Sequence, residues 1–354
     1  MAPGGKVPIT ATPSDDWRRA SWSWVLIHAR VHVLNAHGES ASRAVIETGN
    51  GQLTCESLTK VYPDSNGRKA LDSVSIQVPS KGIFSLIGMN GAGKTTLVRI
   101  LATQLEPTEG RASIDGLDVM RDARKIRDRV ACIPQEARTV PWMTPKQTVL
   151  SYLMWRGVGY SEAGRKALEG LARVGLEGQA NILNRRLSGG TKRKVLVAAV
   201  LSSGADIIFL DEPTTGLDPL SRQELWTFLG GLAQDRFLIL TTHYLEEAER
   251  LAQIIGILHR GRVVGIGTLE QLRDRVKYQY SLMVTSPAEL PAVRQGSVTK
   301  SKTGQTQILT DESEAYELSK SLLEQGAKFS MSKTSLEDVF FHLVHKAGQE
   351  GEGP

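Results

Sequence analysis

The stretch Gly88-Met-Asn-Gly-Ala-Gly-Lys94-Thr95 restricts what this chain can fold into more than any other part of it. It fits G-x-x-x-x-G-K-[ST] and follows the apolar run GIFSLIG. Behind it Leu97, Ile100, Leu101 and Leu105 recur at helical spacing. The expected arrangement is a buried strand, a glycine turn and the start of a helix. Such a turn is an anion cradle, because free N–H groups at the positive end of the helix dipole face the ligand and glycines let it come close. Backbone N–H groups of Asn90, Gly91, Ala92, Gly93, Lys94 and Thr95 are placed for that role, with Gly88 and Thr96 at its two ends. Lys94 brings a point charge to the β/γ oxygens of a polyphosphate, and the Thr95 hydroxyl is a ligand for Mg²⁺.

A second apolar run, Ile207 to Leu210, ends in Asp211-Glu212-Pro213. Continuous apolar runs suit strands buried on both faces of a parallel sheet, and ligands bind at the carboxyl ends of such strands. Asp211 suits a Mg²⁺ shell, and Glu212 is placed to polarise an attacking water. The next run, Phe237 to Leu240, leads to His243. LSGG at 187–190 opens another helix with a serine and two glycines. It is a second anion site in a chain with room for one nucleotide fold.

A length of 354 residues allows roughly two domains. With 40% hydrophobic and 23% charged residues a sizeable core is feasible. The net charge of +5 fits phosphate ligands or an anionic membrane surface, and equally no special partner. Cys55 and Cys132 offer neither a disulfide framework nor metal spacing, so each is expected as a small core residue in a reducing compartment. No apolar run reaches the roughly 20 residues of a membrane span. Trp22 to Leu34 is too short, and His28, Arg30 and His32 break it as a span and as a signal peptide. Residues 1–50 read as an N-terminal extension: a disordered leader, or a start assigned too early with translation beginning near Val45.

In this order and context, residues 52 to 267 resemble the nucleotide-binding domain of ATP-binding cassette (ABC) transporters. The resemblance implies a P-loop NTPase α/β fold with a RecA-like core, a helical subdomain at about 136–190 and an antiparallel β subdomain. It implies ATP and Mg²⁺ as ligands. Tyr62, held extended by Pro63, would stack on adenine. Gln135 of IPQE would approach Mg²⁺ and the attacking water, Asp211 would hold the metal with Thr95, and Glu212 would be the general base. His243 would contact the γ-phosphate, and Asp218 lies in GLDP, which looks like the D-loop. Ser188, Gly189 and Gly190 match the family signature and would cap the nucleotide of a second ABC subunit, in a homodimer or a heterodimer. That pairing accounts for two anion sites in one chain. Thr191 stands where many members have Gln; activity is expected to survive, since Ser188, Gly189 and Gly190 make the phosphate contacts. Lys192, Arg193 and Lys194 read in part as a solvated basic face.

The closing segment TSLEDVFFHLV is similar to that of ATPase subunits of the daunorubicin-exporter type, a drug- and lipid-exporting branch with a small extra domain. The expected division is a cassette at 51–274, an α+β C-terminal domain of βαββαβ type at 275–347 and a tail at 348–354. Thr334 to Glu337 is expected to cap the last helix. The implied function is ATP hydrolysis powering export through separate transmembrane permease subunits. The chain would be cytoplasmic and peripheral at the inner face of the membrane, with no nucleic-acid partner. Trp142, Met143, Met154 and Trp155 are expected contacts for a permease helix. The competing reading is a non-transport ABC ATPase of translation or DNA repair; the linked double cassette and long coiled coils of those types are not evident here.

Overall fold

The computed structural model describes residues 52–63, 66–276, 278–285, 293, 296–300 and 305–350. The expected N-terminal extension and residues 351–354 lie outside the described residues. Strands β1 (Gln52–Val61), β2 (Lys69–Pro79), β4 (Glu109–Ile114) and β5 (Leu117–Asp118) form an antiparallel sheet in the order β2-β1-β4-β5. A second sheet holds β3 (Ile83–Ile87), β6 (Val130–Ile133), β7 (Ile207–Asp211), β8 (Phe237–Thr242), β9 (Ile254–His259) and β10 (Arg262–Gly267), in the order β10-β9-β3-β8-β7-β6. Its pairings are parallel except β9–β10. Those two form a hairpin, which turns on Arg260 and Gly261, both at positive φ, as the favoured two-residue turn demands.

Every residue of β3, β7 and β8 is buried, and alternation along β7 explains why the run had to be apolar throughout. Ile208 and Leu210 enter one core, with the helical layer; Ile207 and Phe209 enter the other, with the antiparallel sheet. The helical layer comprises α3 (Pro145–Trp155), α4 (Tyr160–Arg173) and α5 (Gly189–Ser202). Thr144 and Gln147 close a capping box ahead of α3. Helices α1 (Lys94–Leu101), α2 (Ala123–Arg129), α6 (Pro219–Leu232), α7 (Leu245–Leu251) and α8 (Leu269–Val276) complete this part. No apolar period or end signal in the sequence marks β4, β5, α2 or β6.

A third, antiparallel sheet contains β11 (Tyr280–Val284), β12 (Gly296–Lys300), β13 (Thr306–Thr310) and β14 (Phe329–Lys333), in the order β12-β13-β11-β14. Helix α9 (Glu312–Glu324) covers it, with Ala315, Leu318 and Leu322 against Leu282, Val284 and Ile308. The described elements run βββαβα, where βαββαβ was expected. Because β11 and β12 both run antiparallel to β13, they are mutually parallel and need a crossover; residues 286–292 of that connection lie outside the described residues.

The last helix, α10 (Leu336–Glu350), returns to the cassette. Its Leu336, Val339 and Phe340 share a core with Ala248 of α7, Ile255 and Ile257 of β9 and Leu272 of α8. Its cap is displaced by one residue from expectation: Ser335 and Asp338 bond reciprocally. Thr334 is fully buried and donates to the Tyr278 carbonyl at 2.8 Å, so its hydroxyl is committed elsewhere.

Candidate functional site

The glycine turn sits between β3 and α1. A Cβ on Gly88 would collide with the Leu258 carbonyl oxygen, and one on Gly93 (φ 107°) with that of Ala70. At Gly91 (φ 79°) a Cβ would meet nothing within 4 Å. The loop is thus wedged against the chain on one side and open on the other, which suits a bulky anion. Ala92 N–H closes onto the Met89 carbonyl at 3.1 Å, so in this structure it is turned away from the cradle. Lys94 is buried, and its Nζ donates to the carbonyls of Gly88 (2.7 Å) and Met89 (3.3 Å). Burial lowers its pKa, against the opposing pull of Glu212 and Asp211.

Thr95 Oγ1 donates to Asp211 Oδ2 at 2.9 Å, and the Thr241 hydroxyl bonds Asp211 Oδ1. Among the described residues no three His, Cys, Asp or Glu side chains gather as a metal cage. A hydroxyl beside one carboxylate is the partial donor set that Mg²⁺ uses when phosphate oxygens and water supply the rest, so these residues fit the ion. Tyr62 directly follows β1, with its hydroxyl 3.3 Å from Thr96 Oγ1.

Glu212 is the hub. Its Oε2 accepts from Gln135 Nε2 (2.8 Å) and Thr215 Oγ1 (3.1 Å). Its Oε1 lies 3.2 Å from His243 Nδ1 and 4.0 Å from Lys94 Nζ. The strand order explains the meeting: β3, β8 and β7 are adjacent, and Lys94, His243 and Glu212 follow their carboxyl ends. Glu212 itself has a left-handed backbone, φ 47°.

Ser188, Gly189, Gly190 and Asp218 lie on a separate surface. Ser188 caps α5, its Oγ accepting the Thr191 N–H at 3.1 Å. Ser188 and Gly189 are exposed, while Gly190 is buried where a Cβ would collide with the Ser221 side chain. Asp218 caps α6 by accepting the Ser221 N–H at 3.0 Å, and the side-chain and backbone bonds of Ser221 hold its carboxyl below the usual range. Among the described residues, no hydrogen bond or ion pair joins Ser188 or Asp218 to the Lys94–Glu212 cluster.

The family model described as ABC transporter matches residues 71–215. The daunorubicin resistance ATP-binding protein DrrA3 of Streptomyces coeruleorubidus is 33% identical over 305 residues, covering 82% of this chain and 95% of that protein. This chain belongs to the ABC transporter family. ABC transporter A family member 4 of Arabidopsis thaliana is 32% identical over 316 residues, 83% of this cassette chain. The chain spans about a third of the length of that plant relative, 34% of it. Among solved structures, the dimeric ATP-binding cassette MJ0796 in a post-hydrolysis state with ADP and Pi superposes with a TM-score of 0.55 at 26% identity, covering 61% of this chain and 98% of that one.

In this ABC cassette the basic run after the signature is not a uniformly solvated face. Lys194 pairs with Glu224 at 2.6 Å, but Arg193 is buried and donates to main-chain carbonyls after β7. Periodicity turns the fifth residue past Ser188 inward, where carbonyls at a strand end need donors. Sequence reasoning also missed Glu247, which is fully buried on α7 and accepts the Trp226 indole N–H at 2.9 Å, tying α7 to α6. The available signal was an acid set among Leu245, Ala248 and Leu251 on the apolar side of a helix.

Proposed function

We propose that this chain binds ATP between Tyr62 and the 88–96 loop and hydrolyses it with Glu212 as general base, as the ATPase subunit of an exporter. The observation that carries this reading is the Glu212 carboxylate, held by Gln135, Thr215 and His243 within 4.0 Å of Lys94. A polyphosphate entering the cradle offers Lys94 better acceptors than two carbonyls. Glu212 then loses its cation and is poised to take a proton from water, with Gln135 and His243 on either side to orient it. Mg²⁺, when bound, neutralises phosphate charge; Thr95 and Asp211 would hold it, with Gln135 nearby. Glu212→Gln keeps the size and removes the proton acceptor. Turnover at saturating MgATP is expected to fall at least ~100-fold while ATP binding persists; turnover within threefold of wild type would overturn the assignment.

Ser188, Gly189, Gly190 and Asp218 complete the site of a second subunit, identical or related. Exposed groups at a helix N-terminus, with no bond to their own chain's cluster, support this. In sedimentation velocity the Glu212→Gln protein with MgATP is expected to run as a dimer, and a monomer at every concentration would contradict the pairing of identical copies.

Export is supported by the resistance role in the name of the Streptomyces relative. No described helix is long and apolar enough to cross a membrane, and the channel is assigned to separate permease subunits that hold the cassette at the cytoplasmic face. A cavity of about 290 Å³ beside Gln135, lined by Arg138, Tyr152, Trp155, Arg156 and Phe209, is the candidate dock for a permease helix. Trp142 (67% exposed) lies just ahead of α3, and the exposed Met154 lies on it. Residues 51–274 form the catalytic unit and 275–347 an attached regulatory or structural unit.

A further inference from the structure

Among the described residues, Arg193 is a buried cation that forms no ion pair with a carboxylate. It is 8% exposed, and its guanidinium donates to three consecutive main-chain carbonyls: Asp211 at 3.3 Å, Glu212 at 3.3 Å and Pro213 at 2.8 Å. Burial brings its pKa down to about 10, so it keeps its charge at neutral pH. Packing a helix against a strand end needs only apolar side chains, and Val195 and Ala198 supply them along the same helix. Burying a guanidinium instead is costly unless its donors are used. Here they are used on the turn that aims Asp211 and Glu212, including the peptide unit of Glu212 with its left-handed φ. A planar fork fixes the orientation of several carbonyls at once, which a point charge does not.

The same helix presents Ser188 and Gly189 to solvent five and four residues earlier, about 6–7.5 Å along its axis. One rigid element therefore carries the surface assigned to the partner's nucleotide and grips the carboxylate turn of its own site. We propose that Arg193 is the positioning residue that couples the two: when the Ser188 segment seats on the partner's nucleotide, α5 sets the 211–213 turn through Arg193 and brings Glu212 into line for hydrolysis. The inference rests on the two-subunit reading above. Linkage makes the binding coupling reciprocal, so each site reports to the other.

The test uses the full chain with Arg193→Lys and Arg193→Gln. Lys keeps the charge without the fork, and Gln keeps a donor without the charge. Both variants are expected to melt cooperatively and bind ATP within threefold of wild type, with KM for MgATP within threefold. Their kcat should fall at least tenfold, since about 1 Å of misplacement can cost about 100-fold. Their Hill coefficient for ATP should drop toward one from a wild-type value above it. Placed on Glu212→Gln, both should still give the MgATP dimer in sedimentation velocity. Wild-type kcat and Hill coefficient in both variants overturn the inference. So does loss of the melting transition in both, which would make Arg193 a fold brace only. If Glu212→Gln alone never dimerises, the pairing of identical copies falls and this inference with it; if it dimerises while the Arg193 variants turn over normally, only this inference falls.

Discussion

Gly93 shows how little latitude single positions have around the cradle. At φ 107° a side chain is strained before it touches anything, and the Ala70 carbonyl occupies the space it would need. Gly93→Ala is expected to cost about 2 kcal/mol or more, read as a lower midpoint in urea unfolding; an unchanged midpoint would contradict the packing described. Glu247 makes a pH prediction. Burial pushes its pKa up, against the opposing influence of Thr242, Trp226 and Thr214, and among the described residues its Oε2 has no hydrogen-bond partner. An acid whose folded pKa lies above its unfolded value adds stability in its protonated form. That contribution is complete below the unfolded pKa, near 4.5, and is lost as pH rises through the folded value. Glu247→Gln, which keeps an acceptor for the Trp226 indole, should therefore raise the melting temperature at pH 8 more than at pH 4. A shift of equal size at both pH values would show that Glu247 does not titrate as its burial requires.

Among the elements, α10 shows that the C-terminal unit is not a simple appendage. Leu336 and Val339 are fully buried against α7, β9 and α8, and α7 begins two residues after His243. Leu336→Ala is expected to lower the stability of the cassette by about 2–5 kcal/mol, seen as an earlier transition that carries nucleotide binding with it. Two separate transitions, with binding tied to the unaffected one, would argue for independent folding. The elements legible in the sequence were those whose burial is total or whose ends are marked. β3, β7 and β8 read directly because both faces are covered, and α3 because Thr144 and Gln147 announce its start. β6, four residues of Val-Ala-Cys-Ile, and β5, two residues, are too short to show a period. Their pairing partners, which decide their state, lie far along the chain or carry no pattern of their own. Arg193 was illegible for a related reason. Its burial depends on a meeting between α5 and the turn after β7, some 20 residues on, and local periodicity alone cannot show it.

For the molecule as a whole, the two-subunit proposal turns the separation of Ser188 and Asp218 from the Lys94–Glu212 cluster into a role for nucleotide as the ligand that would join two surfaces. A ligand lacking the terminal phosphate cannot hold them equally well. Self-association of the Glu212→Gln protein should be at least tenfold tighter with MgATP than with MgADP, as measured by equilibrium sedimentation; equal constants would remove the terminal phosphate from the contact. The return of α10 has a further consequence, set by the direction of translation. Residues 336–344 leave the ribosome after every residue they cover, so a nascent chain displays Ile255, Ile257 and Leu272 uncovered until then. A ribosome stalled just before Leu336 holds a cassette whose sheet is bare at its β9 end, a species that chaperones would have to shield from aggregation.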